Sequence, residues 1–307
     1  MKAALAFSPV SCLSCLALVL ILLAAPPRAA AGPLVTVATL SEDCESMAGL
    51  PGGGVVVLTK QNRLLEVQPG REPAPLAVPA LPPAQAVLHF TDLAVLGRRL
   101  QLCSAEAPVV LGLELPGGKA WSVTRLQLPA GAAPTFARIA GGGGGALLED
   151  TDGGAWGVDG AGQLRLLASA TLLPAAPAAA EAWTLARAGE AEGSDWLVRD
   201  GSGQELLRRR SADARHLVRN LDVLGRDSRG RLVFIETVGS TEFDNVATLY
   251  VGRGTTVEGT LALGGALRAL VAKPHVLAGD DSVWLMYPAS SGSGVNLARV
   301  ALADLSR

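Results

Sequence analysis

Short apolar runs alternate with breaks rich in Gly, Pro, Asp and Ser along most of the chain, and the runs come in pairs. VVVLT-KQN-RLLEV spans Val55–Val67, LAVLG-RR-LQLC spans Leu93–Cys103, and AWGVD-GAG-QLRLL spans Ala155–Leu167. DWLVR-DGSG-QELLR spans Asp195–Arg208; LVFIE from Leu232 precedes NVATLYVG, and SVWLMY from Ser282 precedes GVNLARV. Each pair reads as strand, connector, strand. Helical periodicity is poor, because Gly and Pro interrupt any window long enough to carry it. PAAPAAAEAWTLARAG, with Pro174 and Pro177, reads as a linker into a strand. The chain is therefore expected to be all-β.

The paired runs begin at residues 55, 93, 155, 195, 232 and 282, in steps of 38, 62, 40, 37 and 50. Four-stranded propeller blades use roughly 40–50 residues. The long step holds a further hairpin, PVVLGLEL-PGGK-AWSVTRLQL, which fits the outer half of an enlarged second blade or part of an extra one. Six blades are expected, seven being the next choice; a β-sandwich or a two-domain β protein is the rival architecture.

Turn chemistry supports repetition. Asp159-x-x-Gly162-x-Leu164 and Asp227-x-x-Gly230-x-Leu232 share one spacing, and Asp200-x-x-Gly203 repeats its first half. Asp bonds the backbone of its own turn, and Gly takes a positive φ cheaply. This Asp-x-x-Gly-x-apolar punctuation resembles the blades of NHL-type and related six-bladed β-propellers. The resemblance implies a closed ring of blades. PLVTVATL (Pro33–Leu40) and GVNLARVAL (Gly294–Leu302) are both strand-like, so Val35–Leu40 is expected to pair beside the C-terminal strands and remove a free edge.

Residues 1–31 read separately. A basic start at Lys2, the apolar run CLSCLALVLILLAA and a small-residue end at Ala29–Ala31 describe a secretory signal peptide, cleaved before Gly32. An uncleaved anchor is the alternative. The remainder, 32–307, is expected to be one propeller domain that is periplasmic or extracellular, with no further membrane span and no oligomer. With 49% hydrophobic and 18% charged residues and a net charge of −2, a large core is available. Nothing in that balance attracts nucleic acid or an anionic membrane. Export favours an oxidising compartment, which makes a Cys44–Cys103 disulfide one expectation and two buried free thiols the other.

Candidate chemistry is sparse. AGGGGGA (Ala140–Ala146) lacks the Lys and the helix of a phosphate loop and reads as a linker between blades. EDTDGG (Glu149–Gly154) lacks calcium-loop spacing and reads as an acidic turn; the same holds for Asp280 and Asp281. The connector ETVGSTEFDN (Glu236–Asn245) is the chosen ligand site, with Glu236, Glu242, Asp244 and Asn245 as its binding residues. Arg208, Arg209, Arg210, Arg215 and Arg219 with His216 form a basic cluster suited to a charged edge or an acidic partner. It holds no aromatic for base stacking. Trp121, Trp156, Trp183, Trp196 and Trp284 fall one to a segment, as packing residues between sheets would. No hydrolase elbow is present. The Glu, Asn and Asp with which six-bladed lactonases hold a metal find no residue-by-residue match. No metal, cofactor or catalytic residue is therefore assigned. The expected function is an exported propeller that binds or scaffolds a protein, peptide or glycan. The alternative is a metal-dependent lactonase or hydrolase.

Overall fold

The computed structural model describes residues 34–305, apart from 143–144, 168–170, 173–182, 189–194, 201, 214, 241–244, 255, 265–266, 268–269, 278–279 and 291. The expected signal peptide lies outside the described residues. After β1 (Leu34–Leu40), the strands fall into consecutive fours. The first blade is β2 (Cys44–Gly49), β3 (Val55–Thr59), β4 (Leu64–Val67) and β5 (Ala74–Pro75). The second is β6 (Phe90–Leu96), β7 (Arg99–Ser104), β8 (Val109–Glu114) and β9 (Ser122–Arg125). The third is β10 (Phe136–Gly142), β11 (Gly145–Asp150), β12 (Ala155–Val158) and β13 (Leu164–Leu166). The fourth is β14 (Thr171–Leu172), β15 (Trp183–Ala188), β16 (Asp195–Arg199) and β17 (Glu205–Arg209). The fifth is β18 (Leu217–Arg226), β19 (Leu232–Gly239), β20 (Val246–Arg253) and β21 (Thr256–Leu263). The sixth is β22 (His275–Leu277), β23 (Ser282–Pro288), β24 (Val295–Ala301) and, from the other end of the chain, β1. The protein is a six-bladed β-propeller.

The expected closure is present. β1 is the outermost strand of the sixth blade, antiparallel to β24, from Leu34 opposite Val300 to Leu40 opposite Val295. Gly294 makes this possible. Its φ is 80°, and a Cβ there would stand 2.0 Å from the Leu40 carbonyl oxygen.

The apolar runs do not alternate because each sheet is covered on both faces. In β3, Val55 and Val57 pack with Trp284 and Met286 of the sixth blade, while Val56 and Leu58 pack with Leu93, Leu100 and Leu111 of the second. Each such side chain removed from water contributes roughly 1.5–3 kcal/mol. Similar layers join the second blade to the third, the fourth to the fifth and the fifth to the sixth. In the second-to-third layer Trp156 meets Phe136 edge-on at 6.5 Å.

Innermost strands begin at 44, 90, 136, 171, 217 and 275, steps of 46, 46, 35, 46 and 58. The uneven spacing of the sequence hairpins now has a cause, for they occupy different places within their blades. Val55–Val67 joins the second and third strands, Leu93–Cys103 the first and second, and Ala155–Leu167 the third and fourth. The further hairpin in the long step is the outer half of the second blade. The five-glycine run is not a linker between blades; it spans the β10–β11 hairpin inside the third.

One turn serves all these places. Asp159, Asp200 and Asp227 each accept, on Oδ1, the backbone N–H groups two and four residues on, at 2.8–3.0 Å. Gly162, Gly203 and Gly230 take φ values of 83°, 86° and 73°. Asp150 of the EDTDGG loop does the same, with Gly153 at φ 81°. Its second oxygen accepts Trp156 Nε1–H at 2.8 Å. This acidic loop is thus a turn, as expected.

Candidate functional site

Antiparallel strands place the connectors between second and third strands, and those between blades, on one face of the ring. The innermost strands start on that face. Four of them share an irregularity near their start. Register slips by one residue between Cys44 and Ser46, Phe90 and Asp92, Phe136 and Arg138, and Val218 and Asn220. A bulge leaves one residue unpaired and re-aims its neighbour, a device common beside functional sites. The residues that follow the bulges are Ser46, Asp92, Arg138 and Asn220, polar in every case.

These groups form the polar mouth of the central channel. Asp92 is its hub. Its Oδ1 accepts the Ser46 hydroxyl of the first blade, and its Oδ2 accepts the Ile139 N–H of the third at 2.8 Å. Burial raises the Asp92 carboxyl to about 6 against these bonds and the nearby Arg138 charge. Arg138 pairs with Glu149 at 3.0 Å. On the fifth blade, within β18, Asn220 Nδ2–H donates to Asp222 two residues on, at 2.8 Å. Lys273 lies on the connector into β22. Burial, then the like charge of Arg138, lowers it to about 8, while Asp222, Glu149 and Asp92 pull the other way. His275, 8% exposed, is driven to about 3 by burial and then by Lys273 and Arg138, so the ring is neutral at physiological pH. Its Nδ1 has no hydrogen-bond partner.

The sequence-chosen residues fare differently. Glu236 is buried in β19, where Arg209 of the fourth blade grips it through Nε at 2.5 Å and Nη2 at 3.1 Å. It ties two blades together. Glu242 and Asp244 lie outside the described residues, and Asn245 Oδ1 is buried without a partner. The arginine cluster is largely neutralised: Arg208 bonds Asp195 and Glu205, and Arg210 bonds Asp195. Arg219 bonds the Gly239 carbonyl.

The disulfide is not formed. Cys44 and Cys103 are buried free thiols, in the layer between the sixth and first blades and in that between the second and third. Trp121 and Trp196 donate Nε1–H to the carbonyls of Pro79 and Val218 at 2.9 and 2.8 Å. Among the described residues no three His, Cys, Asp or Glu side chains gather as metal ligands would, and no helix is long and apolar enough to cross a membrane.

No protein-family model matches this sequence, and no curated protein matches it. Solved structures do. A glucose dehydrogenase superposes with a TM-score of 0.52 at 13% identity, over 87% of this chain and 99% of that one. The PQQ-bound aldose sugar dehydrogenase from Streptomyces coelicolor superposes with a TM-score of 0.50 at 16% identity, over 90% and 99%. At such identities the likeness is one of fold, and it agrees with the architecture traced strand by strand: a β-propeller.

Proposed function

We propose that this chain is an exported propeller that binds a polar ligand at its channel mouth, the ligand being a peptide or a glycan. One observation carries the reading. Polar side chains from the first, second, third, fifth and sixth blades meet at one mouth, each placed near the start of an innermost strand. A ring of blades needs only apolar faces to close. Buried ionisable groups destabilise the fold unless paired, so a concentration of them in a concave site is the usual mark of a binding or reacting surface. Rim connectors on the same face would supply further contacts.

The test uses peptide and glycan arrays probed with wild type and with Asn220→Trp. Asn220 is exposed at the mouth, so the indole blocks entry without disturbing the core. Binding that vanishes in Asn220→Trp, with an unchanged circular dichroism spectrum, supports the reading. Binding indifferent to it, or none at all, overturns it.

A further inference from the structure

A proline-rich strap with Pro79, Pro82 and Pro83 joins β5 of the first blade to β6 of the second. It is tied to both blades. Leu76 N–H donates to the Leu64 carbonyl at 2.8 Å, and the Pro79 carbonyl accepts Trp121 Nε1–H at 2.9 Å. Trp121 stands just before β9, the outermost strand of the second blade. Between the strap and the two blades lies a cavity of about 260 Å³, lined by Leu64, Leu76, Val78, Leu81, Leu102 and Trp121. Leu64, Leu102 and Trp121 are buried, whereas Leu76, Val78 and Leu81 of the strap are half-buried. Arg63 and Ala80, also on the wall, are exposed, so the cavity opens to solvent beside them.

We propose that this cavity is a binding site for a small uncharged aromatic molecule of about two fused rings, separate from the channel mouth. Polarity selects the class. Asn62 Nδ2–H donates to the Leu88 carbonyl at 2.6 Å, and its Oδ1 accepts the Phe90 N–H at 3.0 Å. Arg63 is neutralised by Glu42, through Nε at 3.0 Å and again through Nη2. Trp121 has its one side-chain donor committed to Pro79. A charged ligand would lose its hydration without meeting an unpaired charge.

Size and shape select the rest. An apolar cavity of ~150 Å³ is enough to bind benzene. The larger volume here has room for a second ring. Trp121 brings to the wall an aromatic ring fixed by its bond to the strap, and ring pairs gain beyond the area they bury.

Naphthalene is the probe, titrated into the full chain with isotope-labelled tryptophan indoles as NMR reporters. The chain has five tryptophans, and the Trp121 signal is the one missing from Trp121→Phe. That signal is expected to shift saturably, with half-saturation at ~0.1 mM or below. The naphthoate anion should need at least ~10-fold more, having to shed its hydration. Val78→Phe places a ring of the chain's own in the cavity and should weaken naphthalene at least ~10-fold, with an unchanged circular dichroism spectrum. Should that variant fail to fold, the two wild-type titrations decide alone. A Trp121 signal indifferent to naphthalene overturns the proposal, as does naphthoate binding equally well or a folded Val78→Phe binding like wild type. Asn220→Trp should leave naphthalene binding unchanged. Loss of it there would place the probe in the mouth and overturn the separate site, whatever the arrays show.

Discussion

Asp92 Oδ2 accepts the backbone N–H of Ile139 at 2.8 Å, so a carboxylate of the second blade caps the innermost strand of the third. The burial of that carboxyl, which outweighs the bond, has a consequence for pH. The folded carboxyl titrates near 6, above its ordinary 3.8, so the native state holds its proton more tightly than the unfolded chain does. Stability from this group is therefore fullest below about 4 and is lost as pH rises through 6. Asp92→Asn keeps an acceptor for Ile139 and an amide for the Ser46 hydroxyl, which can reverse its role. We expect that variant to flatten the pH dependence of urea unfolding between pH 4 and 7. Asp92→Ala should cost about 1.5–3 kcal/mol at pH 5. An unchanged slope in Asp92→Asn would contradict this account.

Arg209→Ala is expected to destabilise by about 3–5 kcal/mol, because it leaves the Glu236 carboxylate buried and uncompensated. It also strips the cation from above the Tyr250 ring, 5.0 Å away. Arg209→Met with Glu236→Gln should cost clearly less than the two single changes combined. A double-mutant cycle in guanidinium chloride measures the difference.

Gly294→Ala meets two penalties, a left-handed φ and a Cβ driven into the Leu40 carbonyl. The expected loss is about 2 kcal/mol or more, from strain of this kind. Gly292, also at positive φ but with open space around it, should cost less when changed to Ala. Paired thermal melts of the two variants test the contrast.

The thiols should be silent in the folded protein. Burial raises Cys44 to about 12, and burial also pushes Cys103 well up, so neither presents much thiolate. A thiol reagent is expected to modify both only as the protein unfolds, and dithiothreitol should leave the melting temperature unchanged. A reductant-sensitive melt would restore the disulfide.

Architecture was more legible than chemistry, for a physical reason. Two-sided burial writes itself into sequence as uninterrupted apolar runs such as VVVLT, and closure writes itself as strand-like ends. The Asp-x-x-Gly turn was legible too, but it marks a turn and not a position: Asp227 joins first and second strands, Asp150 second and third, Asp159 third and fourth. The mouth left a fainter trace. Ser46, Asp92 and Arg138 stand 46 residues apart, the same interval as their strands, yet they share no side-chain chemistry. Bulges placed them, and no residue type announces a bulge. Glu236 looked like a ligand residue because it sits in a polar stretch. Its partner, Arg209, lies 27 positions away on another blade.

The sixth blade has an outcome for biosynthesis. Its outermost strand is the first described strand to be made, and the strand that receives it, β24, is nearly the last. A nascent chain can complete five blades while β1 waits, its hydrogen-bonding edge unmet, until Val295–Ala301 has been synthesised. Order of manufacture and order of closure are thus opposed. A product clipped before residue 295 would forfeit the last blade and, with it, the seat of the first strand.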